Sequence, residues 1–294
     1  MNFAGKPTFC AIAPINFNSI VSGRSCHLVL AHLLDVDHFT DPVEKEYAEA
    51  YMEFARVESE NGSFIMMDNS AYELKEPYSP DKLIELGKAC GAHAIVLPDY
   101  PFQHSSVTIA AAEQYAQMFK DAGFKNFFVP QSQKGDFEDW IAAYEYASNN
   151  PLIDIIGISI LGVPVAWSDI EPAYARVIAM NELKVRGIFN GDKHHHFLGL
   201  NAGPALEIPT LLRMGVLDTV DSSGPVWAAI NGHRYTYDAD SYQQVRKLTN
   251  PVDFHLPFTK DARTIARIDH NLELTDELFK KSVYSSTAPW YAIE

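Results

Sequence analysis

Four strand-like apolar runs of this chain end on a carboxylate or an amide. The runs end at Asp68, Asp99, Gln131 and Asp221, and helical patterns separate them. Parallel barrels place their catalytic groups where strands end and the following loops begin, so we expect these four side chains to meet in one site. The alternative is that each acid only caps the helix that follows it. The recurrence of the pattern favours the shared site.

Two of these carboxylates could divide the work of a reaction at an anomeric carbon. Asp68 and Asp221 are both followed by small, mostly polar residues. One would act as the nucleophile and the other as the general acid/base. Three carboxylates cannot all ionise at close range without cost, so one is expected to be neutral or to face a donor-rich ligand. A guanine-like edge would suit Asp99, and Gln131 could meet a carbonyl oxygen.

A repeated strand–helix pattern must position these side chains. Buried parallel strands are predicted near 9–15, 64–68, 94–99, 126–131, 154–161, 196–200 and 217–221. Helices are predicted over 43–59, 80–91, 105–122, 136–148, 170–182 and 204–214. The segment 27–34 fits either a strand or a short helix. The alternation favours an α/β fold of the (β/α)8 TIM-barrel type over an open doubly wound sheet. We expect one domain over 1–294, with a core of about 9–236 and a short irregular C-terminal elaboration over 237–294.

Composition limits the partners and the compartment. The 294 residues carry a net charge of −15, which argues against broad electrostatic binding of nucleic acid, although cationic residues are denser in the last third. No membrane partner is expected, because no apolar run is long enough to span a bilayer. No signal-peptide pattern is present, so a cytoplasmic protein is expected. Cys10, Cys26 and Cys90 have no CxxC spacing and are predicted to be reduced, mostly buried thiols.

Taken in order, these residues resemble the motifs of the tRNA-guanine transglycosylases. The segment 217–225, followed by Asn231 and Gly232, resembles the nucleophile segment of that family, and 68–72 resembles its Asp-Ser-Gly-Gly-Tyr/Phe segment. Asp99 and Gln131 fall where the family carries its base-recognising Asp and Gln. Segments 157–162 and 197–200 resemble two further strands of the family. The ordered set covers roughly residues 60–236.

The resemblance implies a barrel enzyme that exchanges nucleic-acid bases. Asp221 would attack C1′ of a target guanosine to form a covalent intermediate, and Asp68 would be the general acid/base. A 7-deazaguanine, such as 7-cyano-7-deazaguanine, would then enter and displace Asp221. The residues implied to bind the base are Asp99, Gln131, the backbone at Gly162, Tyr72, Leu198 and Asn69. Among these, Tyr72 and Leu198 would sandwich the ring.

Departures from the family pattern point from tRNA to DNA. The family carries a Thr-Arg pair where this chain has Val226 and Trp227, and its zinc cysteines are missing because no cysteine follows Cys90. No metal or other cofactor is therefore expected. A weak substitute set of N/O ligands, Asp253, His255 and His270, is the alternative. The phage and bacterial relatives that insert 7-deazaguanines into DNA fit these departures better, and a phage-encoded protein would act in the host cytoplasm.

Acting on DNA would require the target base to leave its stack. Trp227 could stack on a neighbouring base, and a core position is the alternative. The residues predicted to contact the nucleic acid are Arg234, His233, Trp227 and Lys193. His194, His195 and His196 cannot all bind one ion, since successive strand residues alternate faces. A tRNA enzyme with altered RNA recognition, a two-carboxylate nucleosidase or glycosidase, and a non-catalytic binding protein stay open, as does a homodimer.

Overall fold

Eight parallel strands form the wall of a (β/α)8 barrel in a computed structural model that describes residues 7–200, 204–236 and 261–285. The strands are β1 (Thr8–Ala11), β2 (Cys26–Leu30), β3 (Phe64–Asp68), β4 (Ala94–Val96), β5 (Lys125–Phe128), β6 (Ile155–Ser159), β7 (His194–Leu198) and β8 (Thr219–Ser222). Hydrogen-bonded neighbours run in the order β1-β8-β7-β6-β5-β4-β3-β2. Since β1 also packs against β2, the barrel is nearly closed. The predicted fold class is confirmed.

Helices alternate with these strands. The described helices are α1 (Ala31–Leu34), α2 (Pro42–Glu60), α3 (Ala71–Leu74), α4 (Pro80–Cys90), α5 (Ser105–Asp121), α6 (Phe137–Asn149), α7 (Gly162–Ala166), α8 (Pro172–Val185), α9 (Pro204–Met214), α10 (Gly224–Ile230) and α11 (Ala262–Ser285), with 3-10 turns at Ile15–Val21 and Val36–His38. Local signals set several ends: Asp41 accepts a hydrogen bond from Val43 N at 2.7 Å to cap α2, and Gly91 ends α4 at a φ of +69°. The segment 27–34, which fitted either a strand or a short helix, contains both, because β2 passes directly into α1.

The described part of the C-terminal segment is a long helix rather than an irregular elaboration. Helix α11 packs on α9, α10 and β1. Phe279 stacks on Phe9 with ring centroids 6.1 Å apart, and both guanidinium Nη atoms of Arg24 bond Asp276 at 3.0 Å. Its buried positions include Ile268, Leu272, Thr275 and Phe279. These buried residues follow a helical spacing, but many polar residues lie between them. The sequence therefore did not reveal that the segment covers the barrel wall.

Most of the barrel interior below the carboxyl ends of the strands is apolar, and β7 and β8 add polar residues to it. Alternate strand residues point inward and form one cluster: Cys10, Ile12, Cys26, Leu28, Phe64, Met66, Ala94, Val96, Phe127, Val129 and Ile155. At Gly157 of β6, a Cβ atom would lie 2.7 Å from the Phe127 ring and 2.8 Å from a Val129 methyl. Glycine is therefore required there because larger residues from β5 occupy the space.

Cys10 and Cys26 form a disulfide, which corrects the prediction that they are thiols. Their Cα atoms are 5.4 Å apart, and they belong to β1 and β2, the strands at the two ends of the hydrogen-bonded order. Cys90 is free and buried. The spacing of 16 residues did not suggest a pair, because the two cysteines meet only when the sheet curls into a barrel. The disulfide joins the two edge strands covalently.

Replacing both Cys10 and Cys26 with serine should lower the free energy of unfolding by about 3 kcal/mol, the loop-entropy effect expected for a cross-link of this span. Urea denaturation of the oxidised wild type and the double variant measures the difference. Reductant should lower the denaturation midpoint of the wild type but leave that of the double variant unchanged. Equal midpoints for all four samples would contradict a stabilising cross-link.

Candidate active site

A cavity of about 460 Å³ opens where the strands end at the carboxyl face of the barrel. All the residues predicted to be catalytic or base-binding line it: Asp68, Asn69, Tyr72, Asp99, Gln131, Gly162, Leu198 and Asp221. They come from six strands, β3 to β8, or from the segments that follow them. The barrel closure therefore brings together residues spread over more than half of the chain.

Asp221 is inside β8 and is almost completely buried, at 5% exposure. Its Oδ1 accepts hydrogen bonds from His196 Nε2 at 3.0 Å and from Gly199 N at 2.9 Å. Both donors belong to β7 or to the residue just after it. One carboxylate oxygen is therefore held against the barrel wall, which fixes the plane of the group at the base of the cavity.

The turn after β7 directs the Gly199 N–H towards Asp221. Gly199 has a φ of +76°, and a Cβ there would lie 2.7 Å from Ile160 Cγ2, so only glycine fits. Its carbonyl accepts from Arg176 Nη1 at 2.8 Å, as does the Leu198 carbonyl at 3.1 Å. Arg176 is itself buried in a two-bond ion pair with Glu207, at 2.8 and 2.7 Å. The ion pair thus fixes the peptide that holds Asp221.

Asp68 ends β3 and is partly buried under the cavity rim. Its Oδ1 accepts from Ser70 N at 2.7 Å. Burial raises the pKa of Asp68 well above its usual value, and the nearby charges of Glu73, Asp99 and Asp221 raise it further. Glu73, a fourth acid of the cavity that the sequence did not single out, lies in α3 just after this strand. A carboxyl group with a raised pKa is suited to donate a proton to a leaving group.

Asp99 is the centre of a buried amide–carboxylate cluster. Its Oδ1 accepts from Asn69 Nδ2 at 2.7 Å, and its Oδ2 accepts from Gln131 Nε2 at 2.5 Å. Burial raises the pKa of Asp99 to about 6, against the opposing effect of these two hydrogen bonds. Asn69 also donates to Leu97 O and accepts from Ala71 N, and these two backbone contacts fix the amide that donates to Asp99.

The Gln131 amide is bonded through its nitrogen, and in the described part of the chain its oxygen has no partner. Its nitrogen bonds Asp99, while Oε1 is buried and has no hydrogen-bond partner among the described residues. A Cβ at Gly162 would lie 3.3 Å from this oxygen, and Gly162 N donates to Ser159 Oγ at 3.0 Å. The predicted contact of Gln131 with a base carbonyl therefore requires the amide to leave Asp99, which a ligand donating to Asp99 would allow.

The raised pKa of Asp99 predicts a pH dependence of ligand binding. Above about pH 6 the group is a carboxylate that accepts hydrogen bonds, whereas below this value it binds a proton and loses acceptor capacity. The KM for a donor-rich base should therefore rise as pH falls below about 6, by about tenfold per unit at the limit. Steady-state kinetics from pH 4.5 to 8 measure this, and a KM that stays flat below pH 6 would contradict it.

The four residues predicted to contact nucleic acid do not line the cavity. Trp227 is 1% exposed in α10, which corrects its assignment as a stacking group. Lys193 precedes β7 at the opposite end of the barrel, where its Nζ donates to Asn150 O and Ile153 O at 2.8 and 2.6 Å, so its assignment is corrected too. Arg234 lies 3.2 Å from His270 Nδ1, and a phosphate contact by Arg234 or His233 stays a prediction.

The substitute metal set is only partly within the described residues. His270 Nε2 lies 3.0 Å from Tyr235 O, while Asp253 and His255 are outside the described ranges. In 7–200, 204–236 and 261–285, no group of three or more His, Cys, Asp or Glu side chains is arranged to hold a metal ion. The same ranges contain no helix that is long and apolar enough to cross a membrane.

Besides Glu73, sequence reasoning missed one further residue of the cavity and one that lies behind it. Phe102 lines the rim with Tyr72, at a ring-centroid distance of 6.3 Å, and has a φ of +65°, which is unusual for a non-glycine residue. The two rings are 42% and 45% exposed, respectively. His196, the partner of Asp221, was treated only as part of a histidine run. Its position two residues before Leu198 on the same strand is the signal that could have identified it, since alternate residues share a face.

Comparisons with known proteins give no family. No protein-family model matches the chain, and no curated protein matches it. Among solved structures, RipC from Yersinia pestis is 11% identical with a TM-score of 0.44, and the match covers 86% of this chain and 98% of that one. The citrate synthase variant SbnG is 11% identical, with a TM-score of 0.45 and coverages of 75% and 87%. An enolase protein from Sargasso Sea environmental sequencing is 9% identical, with a TM-score of 0.42 and coverages of 74% and 56%. At these values the matches bear on neither family nor reaction.

Proposed function

We propose that this protein is a pentosyltransferase that replaces guanine in DNA with a 7-deazaguanine, such as 7-cyano-7-deazaguanine, through a covalent intermediate on Asp221. The observation that carries the proposal is the pairing of two different carboxyl groups in one cavity. Asp221 is held by two donors on one oxygen, while the pKa of Asp68 is raised well above its usual value. The first arrangement suits a nucleophile and the second a general acid.

The reaction divides into two displacements at C1′ of the target deoxyguanosine. In the first, Asp221 bonds C1′ while the C1′–N9 bond breaks, and the Asp68 proton neutralises the electron pair left on N9 of the departing guanine. In the second, the Asp68 carboxylate takes the N9 proton of the 7-deazaguanine, whose N9 bonds C1′ while the ester to Asp221 breaks. The two inversions give net retention, as in other two-carboxylate retaining mechanisms.

The polar lining of the cavity supports a base with several donors. Four acids, Asp68, Glu73, Asp99 and Asp221, line it, and no Lys, Arg or His side chain of the described residues does. A phosphate group would find no cation there, whereas the ring N–H and amino group of a guanine-type base could donate to Asp99. Leu198, Val129 and Ile12 supply apolar surface for the ring faces.

The choice of DNA over tRNA is supported by two positions after Asp221. Val226 and Trp227 stand where the resembling family has its Thr-Arg pair, and they are 0% and 1% exposed. Both side chains are on α10 and are buried in the protein core, so they cannot reach a nucleic acid. The buried Trp227 thus stands where the family has an RNA-reading arginine. The zinc cysteines of the family are missing as well.

Base exchange with labelled substrate tests the proposal. The protein is incubated with guanine-containing DNA or with tRNA, each with labelled 7-cyano-7-deazaguanine, and label in the polymer is counted. Label in DNA alone is expected, whereas label in tRNA alone would assign the enzyme to RNA. Release of guanine without uptake of label would show a hydrolase instead. Absence of both label and released guanine would overturn the proposal.

A further inference from the structure

A chain of hydrogen bonds runs inside the barrel from β7 to Asp221. His196 Nδ1 lies 2.7 Å from Thr219 Oγ1, and that oxygen lies 2.8 Å from His194 Nε2. The parallel register pairs His196 with Thr219, and the strand alternation turns His194 and His196 inward. His195 faces outward, where its Nε2 lies 2.8 Å from Tyr144 OH. Thus two of the three successive histidines belong to the site and one does not.

The direction of these bonds follows from the charge of Asp221. When Asp221 is ionised it can only accept, so His196 Nε2 must carry the hydrogen. Nδ1 of a neutral His196 ring is then an acceptor, and the Thr219 hydroxyl supplies its donor. Thr219 in turn accepts from His194 Nε2. Burial lowers the pKa of His194 to about 4, which keeps this ring neutral at physiological pH.

If the hydrogen bonds of this chain ran in the opposite direction, Asp221 could not act as the nucleophile. If Thr219 donated to His194, the Nδ1 atom of a neutral His196 ring would have to donate to Thr219, and its Nε2 would become an acceptor. Asp221 would then need a proton to complete the 3.0 Å contact. A protonated carboxyl group cannot attack C1′, so the active direction is the one in which the Thr219 hydroxyl donates to His196 Nδ1.

Only one oxygen of Asp221 takes part in these contacts. His196 Nε2 and Gly199 N both donate to Oδ1, and no described residue donates to Oδ2. Asp221 also lines the cavity. We propose that His196 is a positioning residue that fixes Oδ1 and thereby leaves Oδ2 as the atom that bonds C1′. This inference rests on the proposed base exchange.

Holding Oδ1 affects both halves of the reaction. In the first half it sets the orientation of the carboxylate, and small errors in that orientation are costly for displacement. In the second half the electron pair of the breaking ester returns to the carboxylate, where the hydrogen on His196 Nε2 stabilises the recovered charge. Removing His196 leaves Gly199 N as the remaining donor, so the group can turn about its last side-chain bond.

Four variants test this role: His196→Ala, His196→Gln, Thr219→Val and, as the matched control, His195→Gln. Steady-state kinetics give kcat and both KM values, and a denaturing gel follows the protein–DNA adduct. His196→Ala should lower kcat and the rate of adduct formation about 10- to 100-fold, the loss expected for one hydrogen bond to a charged group. Both KM values should stay within about threefold, because binding in the ground state is unaffected.

The other variants show whether His196 acts by positioning Asp221 or only by filling space in the barrel. Glutamine at 196 can donate to Oδ1 from its side-chain nitrogen, so it should recover part of the loss, and Thr219→Val should fall between the two. His195→Gln, an equally buried position on the outer face, should keep the wild-type kcat. Denaturation midpoints establish that each variant is folded. If His196→Ala does not fold, His196→Gln and Thr219→Val carry the test.

Several outcomes would overturn the inference while the proposed function stands. One is an active wild type with His196→Ala at the same kcat. Another is an equal loss for His196→Ala and His195→Gln, which would indicate packing. If the wild type exchanges no base, the proposed function fails, and the contact is then read from the ¹⁵N shift of His196 Nε2. The same shift in wild type and Asp221→Ala would overturn the contact, and a changed shift would support it.

Discussion

Asp221→Asn is expected to abolish both base exchange and the covalent protein–DNA adduct. The asparagine oxygen can still accept from His196 and Gly199, so the fold around the site is preserved, but the amide nitrogen has no electron pair suited to attack C1′. Losing the nucleophile of a covalent mechanism costs roughly 10⁴-fold or more in kcat. A denaturing gel of labelled DNA incubated with the variant measures the adduct directly.

The residue just before β8 supplies a matched control. Asp218 lies three residues before Asp221, but its Oδ2 accepts from His195 N at 2.7 Å on the outer side of the barrel. Asp218→Asn keeps an acceptor there and should retain the wild-type kcat. Asp221→Asn should also bind labelled 7-deazaguanine as tightly as the wild type in equilibrium dialysis. An adduct formed by Asp221→Asn would assign the nucleophile to another residue.

Local signals were enough to predict the strand ends that carry the acids. Asp68 is the last residue of β3, as the apolar run before it indicated. The predicted strands at 94–99 and 126–131 are shorter in the structure, ending at Val96 and Phe128. Asp99 and Gln131 therefore lie in the loops beyond them and still line the cavity. An error of a few residues in strand length did not matter because side chains on either side of the strand end face the same opening.

Contacts that depend on strand register could not be predicted in the same way. His196 meets Asp221 because β7 and β8 are neighbours, with His196 opposite Thr219. Cys10 meets Cys26 because the two ends of the sheet come together. Both pairings join residues from different strands, and no short motif encodes them. The resemblance to known nucleophile segments also drew attention to Trp227, whereas α10 is buried at every position from Pro225 to Ala229, which places that ring in the core.

Asp99→Ala is expected to lower kcat/KM for 7-cyano-7-deazaguanine roughly 10²- to 10³-fold, mainly through KM. The carboxylate is 5% exposed and lines the cavity, so its loss removes a charged acceptor for the hydrogen-bond donors of the base. It also leaves the Gln131 amide nitrogen without its acceptor, while Asn69 Nδ2 keeps only its bond to Leu97 O. Steady-state kinetics with varied base and saturating DNA measure the effect.

A second substrate shows whether Asp99 reads the base or only supports the pocket. The matched ligand lacks the 2-amino group and therefore one donor. The wild type should discriminate strongly against it, since sites that hydrogen-bond a substrate can reject analogues lacking the group by roughly 10⁴–10⁵-fold. Asp99→Ala should reduce this ratio towards one, because the carboxylate that accepts the hydrogen bond of the 2-amino group is gone. An unchanged ratio in the variant would mean that discrimination lies elsewhere in the cavity, and Asp99 would then act only by holding Asn69 and Gln131 in place.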